Sequence, residues 1–129
     1  MVLEQSAGLS DKQTFRELAD CVLGLQADGV VCYEGYMAMG LILELLARGV
    51  RVPADVAVTG FDDMPIGNSF AIGVTTYALA GEDVARQASR LMRERVRHPG
   101  QRSVRVHVPG ELIVRESTGG VGNHSRSEF

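Results

Sequence analysis

The tightest constraint on this chain is an alternation of two hydrophobic patterns. Short apolar runs rich in β-branched residues, Val30-Val31-Cys32-Tyr33 and Val56-Ala57-Val58-Thr59-Gly60-Phe61, alternate with stretches of helical periodicity. An apolar run of this length, bounded by turn residues, suits a strand covered on both faces. Such strands interleaved with helices build a largely parallel sheet. The predicted order is α, β, α, β, β, α, β, β, which specifies an α/β fold with helices flanking a mostly parallel sheet.

The first helix is expected over about 11–26. Ser10-Asp11-Lys12-Gln13 fits a capping box, and Phe15, Leu18, Ala19, Val22 and Leu25 follow at helical spacing. Asp28-Gly29 is a turn. The second helix runs from about Tyr36 to Arg48, and Gly49 closes it. Met37, Ala38, Leu41, Ile42, Leu43 and Leu45 cover more than half of its surface, so it must pack on more than one side. Ile72–Tyr77 reads as a third strand. Gly81-Glu82-Asp83 opens a third helix with acids well placed at its start, and Val84, Ala85, Ala88, Leu91 and Met92 form its stripe. His98-Pro99-Gly100 ends it. Val104, Val106 and Val108 alternate with polar residues as in a half-exposed strand, and Leu112–Val114 is the last strand. Residues 1–9 read as loose and 119–129 as a disordered tail rich in Gly, Ser and charge.

The 129 residues make one domain's worth of chain, 45% hydrophobic and 22% charged. A net charge of −3 gives the whole chain no electrostatic pull towards nucleic acid. Arg86, Arg90, Arg93, Arg95, Arg97, Arg102 and Arg105 do cluster. With no interleaved aromatics for base stacking, they read as a solvated helix face rather than a nucleic-acid patch. No apolar run is long enough for a membrane span, and the N-terminus has no basic-then-apolar signal pattern. Cys21 and Cys32 read as reduced core thiols, which suits a cytoplasmic location. His98, His107 and His124 share no metal-ligand spacing with them.

No nucleophile elbow, metalloprotease helix or phosphate loop is present, so neither an enzyme nor a cofactor is expected. In parallel sheets ligands sit beyond the carboxyl ends of the strands. That rule singles out Tyr33-Glu34-Gly35 and Phe61-Asp62-Asp63. Asp62 and Asp63 read equally as acceptors for ligand hydroxyls or as a turn leaving the strand. Glu34 reads more readily as an acid at a helix start than as a ligand group. Met37 and Met39 could line a pliable surface, but read better as core or dimer packing.

Four segments in order carry a resemblance: 28–40, Gly49 to Asp63, Val74-Thr75-Thr76, and Glu111-Leu112-Ile113-Val114-Arg115-Glu116-Ser117-Thr118. Together they resemble the sensing domain of the lactose/galactose-repressor (LacI/GalR) family of transcription regulators. The resemblance implies a partial periplasmic-binding-protein-like fold over 1–118, with a crossing segment near 74–108 belonging to the other lobe. It implies a small polar or sugar-like effector as partner, and DNA contact only through a head domain absent from this chain. The stripe of the helix near 82–97, left without most of its other-lobe sheet, predicts a homodimer or a domain-swapped assembly. By the same resemblance, Asp62 matches an effector-binding aspartate and Phe61 the aromatic before it. Glu34 stands where an asparagine is common, Gly35 where an aspartate is, and Leu79 where some members place a polar contact. The second helix, with Met37, Leu41 and Leu45, and the loop through Phe70 match the dimerisation surface. The alternatives are a free-standing sugar-binding protein and a small α/β enzyme using Asp62, Asp63 and Glu34 as acid/base groups.

Overall fold

Helix formation starts where tertiary burial supports it. The computed structural model describes residues 12–64 and 72–120. Helix α1 (Lys12–Gly24) buries Ala19 and Val22, with Phe15 and Leu18 packed at the core's margin. The capping residues Ser10 and Asp11 lie outside the described residues. Helix α2 (Gly35–Ala47) is the centre of the molecule: Met37, Ala38, Met39, Leu41, Ile42 and Leu45 are all buried. It lies between α1 and strand β2 (Ala57–Phe61). Gly40 permits that fit, because a Cβ there would strike the Phe15 ring. Across α2, Gly60 lets β2 approach Ala38 and Gly35.

The remaining strands are β1 (Gly29–Val31), β3 (Thr75–Ala78) and β4 (Glu111–Ile113). They form one sheet in the order β1-β2-β3-β4. The first three are parallel, and β4 runs antiparallel to β3. The mixed but mostly parallel α/β sheet agrees with the sequence reading. A 3-10 turn (Glu116–Thr118) then tucks back under the sheet. Ser117 Oγ accepts from Thr75 N–H at 2.8 Å and donates to Val58 O at 2.6 Å. Gly119 sits at φ 85° and the Gly120 N–H donates to Arg115 O, so these two residues belong to the ordered clip. The rest of the expected tail lies outside the described residues.

Several expectations are corrected. The first strand is shorter than 30–33 and is an edge, not a buried strand: Val31 is 85% exposed. Val30 and Val31 point to opposite faces, and only the Val30 face meets the helical layer. The third strand begins at Thr75 rather than Ile72. Residues 104–108 form no strand, and Val104 is exposed. Alternation prepares a segment for a ladder, but without a neighbour to share hydrogen bonds no strand forms. Helix α3 (Gly81–Arg97) buries no residue at all, so its apolar stripe is bare. Met37, Leu41 and Leu45 are buried within the chain, whereas Tyr36, Leu43 and Leu46 of the same helix are exposed. Phe70 lies outside the described residues.

Candidate functional site

Three parallel strands bring their carboxyl ends to one rim. Cys32-Tyr33-Glu34 leaves β1, Phe61-Asp62-Asp63 leaves β2, and Leu79 leaves β3. The register pairs Phe61 with Tyr77, and their rings stack with centroids 5.5 Å apart at 27°. The Tyr77 hydroxyl accepts from Gly110 N–H at 2.9 Å, which fixes the lower ring. Phe61 stays half-buried. Tyr33 is exposed at the same rim. Desolvation, followed by a hydrogen bond to Glu34 and its negative charge, pushes the Tyr33 phenol above its ordinary range. Glu34 occupies the N-cap of α2 without capping it through its side chain. Leu79 is exposed and brings no polar group.

The two aspartates, equivalent by sequence, are placed differently. Both have positive φ, 76° at Asp62 and 41° at Asp63. Left-handed backbone costs an L-residue roughly 1–2 kcal/mol, with Asp among the more tolerant types. The turn is held from β3: Asp62 N–H donates to Tyr77 O at 3.1 Å, and Asp63 N–H to Thr76 Oγ1 at 3.2 Å. Asp62 projects into solvent at the rim. Asp63 turns inward, with Oδ1 2.7 Å from Arg115 Nη1. That oxygen is shut off from solvent and the approach makes no directed hydrogen bond, so the contact is an ion pair by proximity. The same nitrogen donates to Val74 O at 2.8 Å. Asp63 is thus anchored inward through Oδ1, whereas Asp62 faces solvent.

Sequence reasoning missed Arg115, Thr76 and Tyr77. The available signal was a charged residue directly after the apolar run Leu112-Ile113-Val114, followed by Ser117 and Thr118. Two depressions, of about 370 and 320 Å³, lie elsewhere, against α3 and beside the α1–β1 turn. Among the described residues the rim is open to solvent at Tyr33, Asp62 and Leu79. Among the described residues no three His, Cys, Asp or Glu groups cluster as metal ligands. No helix among them is long and apolar enough to cross a membrane.

An open α/β sheet with a carboxylate and stacked aromatics at its carboxyl rim is the architecture of small-molecule-binding lobes. Residues 4–118 match the periplasmic binding protein-like domain family, and the chain belongs to that family. It is similar to the HTH-type transcriptional repressor PurR of Haemophilus influenzae, 34% identical over 89 residues, which are 67% of this chain and 26% of that protein. The ribose operon repressor of Halalkalibacterium halodurans is 29% identical over 74% of this chain and 29% of its own length. A solved LacI-family regulator from Arthrobacter sp. FB24, in complex with lactose, superposes with a TM-score of 0.71 at 32% identity. That match covers 84% of this chain and 42% of the regulator. A regulator of the same family from Sanguibacter keddieii gives 0.71 at 36% identity, over 85% and 42% of the two chains. The chain thus spans about a quarter of the repressors' length and about two fifths of the solved structures.

Proposed function

We propose that this chain is the ligand-sensing portion of a LacI/GalR-type regulator, with a small polar, sugar-like metabolite as its effector. The carrying observation is Asp62: an exposed carboxylate at the mouth of a parallel sheet, beside the Phe61–Tyr77 stack. A carboxylate there accepts hydrogen bonds from hydroxyls, and an aromatic edge covers the apolar side of a polyol. Solved relatives are complexes with lactose and with cellobiose, which supports this ligand class. Tyr33, Glu34 and Leu79 flank the same opening. DNA is contacted through a separate head domain, and the chain works in the cytoplasm as a sensor rather than an enzyme. A thermal-shift screen with lactose, cellobiose, ribose, nucleosides and sugar acids tests this. At least one member should raise Tm, as any ligand favouring the folded state does. Asp62→Ala should abolish that shift, and a shift surviving in Asp62→Ala would sink the site.

The active unit in this reading is a homodimer or a domain-swapped assembly in which the exposed stripe of α3 is covered. Val84, Met92 and Val96 are 47%, 69% and 74% exposed, an uncommon display for an isolated chain. Glu82 and Asp83 sit in the first turn, Arg95 and Arg97 in the last. Antiparallel self-pairing places the acidic start of one helix against the basic end of the other. Sedimentation should show a concentration-dependent dimer that Met92→Glu disperses. A wild-type monomer at high concentration would refute it.

A further inference from the structure

We propose that Arg115 is the positioning residue of this site: it holds the Asp63 carboxylate inward, and thereby aims the Asp62 carboxylate outward. The proposal rests on Asp62 being the ligand contact. Two adjacent carboxylates leave β2 at the same rim, and nothing in their identity distinguishes them. The cation does. Arg115 is tied down from three sides: its N–H donates to Thr75 Oγ1 at 2.8 Å, its carbonyl accepts from Thr75 Oγ1, and its Nη1 donates to Val74 O. Its side chain is only 10% exposed. A guanidinium fixed that firmly offers Asp63 Oδ1 a charge partner in a place closed to water.

Removing that charge would leave a carboxylate oxygen buried without compensation. Asp63 would then swing out to solvent. Its neighbour shares the left-handed turn, so φ at both residues would be released together. The rim would present two carboxylates in averaged positions instead of one in a fixed position. Arg115 lies in the returning C-terminal segment, far from β2 in sequence. The backbone bonds to β3 hold the turn in place, and the docking of residues 115–118 beneath the sheet sets which of its two carboxylates faces the ligand.

The test uses the ligand-free chain. Three-bond amide–α couplings and carbon shifts report φ at Asp62 and Asp63 by NMR. Wild type should show positive φ at both. Arg115→Met should lose that signature while the amide shifts of Cys32 and Val58 persist. Asp63→Ser tests the same link from the other side, leaving Arg115 on Val74, and should release Asp62. Positive φ retained at Asp62 in the folded variants would overturn the proposal. Should Arg115→Met fail to fold, Asp63→Ser decides alone. A failed ligand screen would not alter this outcome, and an unchanged turn would not alter Asp62-dependent binding, so the two readings fail separately.

Discussion

Helices α2 and α3 belong to the same chain and sit at opposite extremes of burial. Helix α2 buries Met37, Ala38, Met39, Leu41, Ile42 and Leu45 between α1 and the sheet, while α3 is four residues longer and buries none. Helix α3 is not poorly made for a helix. It has acids at its start, bases at its end and an i,i+4 pair from Arg90 to Glu94. Such local terms contribute only tenths of a kcal/mol each, and most helix stability in proteins comes from packing an apolar face. The contrast teaches that good local signals secure the element, whereas its place in the fold depends on what lies opposite its stripe.

Deleting side chains from both helices should break the comparison most directly. Leu41 is 1% exposed, and Leu41→Ala should cost about 3 kcal/mol by urea denaturation. Met92→Ala, measured where the chain is monomeric, should stay within about 0.5 kcal/mol. Similar costs would mean that α3 is packed after all. The next effect sharpens the packed half alone. Burial pushes the Cys32 thiol up to about 11 from an ordinary value of 9.0. The folded chain keeps the proton that the unfolded chain loses near pH 9. Stability is therefore complete below about pH 9 and falls as pH rises towards 11, by about 2–3 kcal/mol in full. Urea midpoints from pH 8 to 11 should show this decline, and Cys32→Ala should remove the larger part of the slope. An unaltered slope in that variant would place Cys32 in contact with water.

The uneven burial also explains what could be foreseen. The α/β order, the central α2 and the left-handed Gly49 were legible because they depend on residues close in the chain. The Met37, Leu41 and Leu45 positions were recognisably apolar, but apolarity does not say whether a face meets its own sheet or another molecule. The edge position of β1 and the missing strand at 104–108 depend on neighbours that periodicity cannot reveal. At the rim, Asp62 and Phe61 followed from the rule about strand ends. The sorting of Asp62 from Asp63 did not, because it depends on Arg115, 52 residues beyond Asp63 in the numbering. A long-range ion pair leaves no periodic trace.

A further effect, smaller than those of Leu41 and Cys32, lies in how the helices end. Helix α2 closes with Val50 N–H on Leu45 O and Gly49 N–H on Leu46 O, with Gly49 at φ 77°. Helix α1 closes the same way, with Ala27 N–H on Val22 O and Gln26 N–H on Leu23 O, but its left-handed residue is Gln26 at φ 54°. Both follow the Schellman pattern, in which glycine carries no Cβ penalty. Helix α3 has no such closure: His98, beyond its end, sits at φ −134° with its N–H on Glu94 O. Gln26→Gly should therefore stabilise the chain by about 0.5–1 kcal/mol, the steric relief being partly offset by glycine's larger unfolded-state entropy. Gly49→Ala should destabilise by about 1 kcal/mol for the mirror-image reason. Thermal denaturation of the two variants reads both signs. If Gln26→Gly lowered Tm, its side chain would be contributing more than its backbone costs, and the two helix ends would not be equivalent.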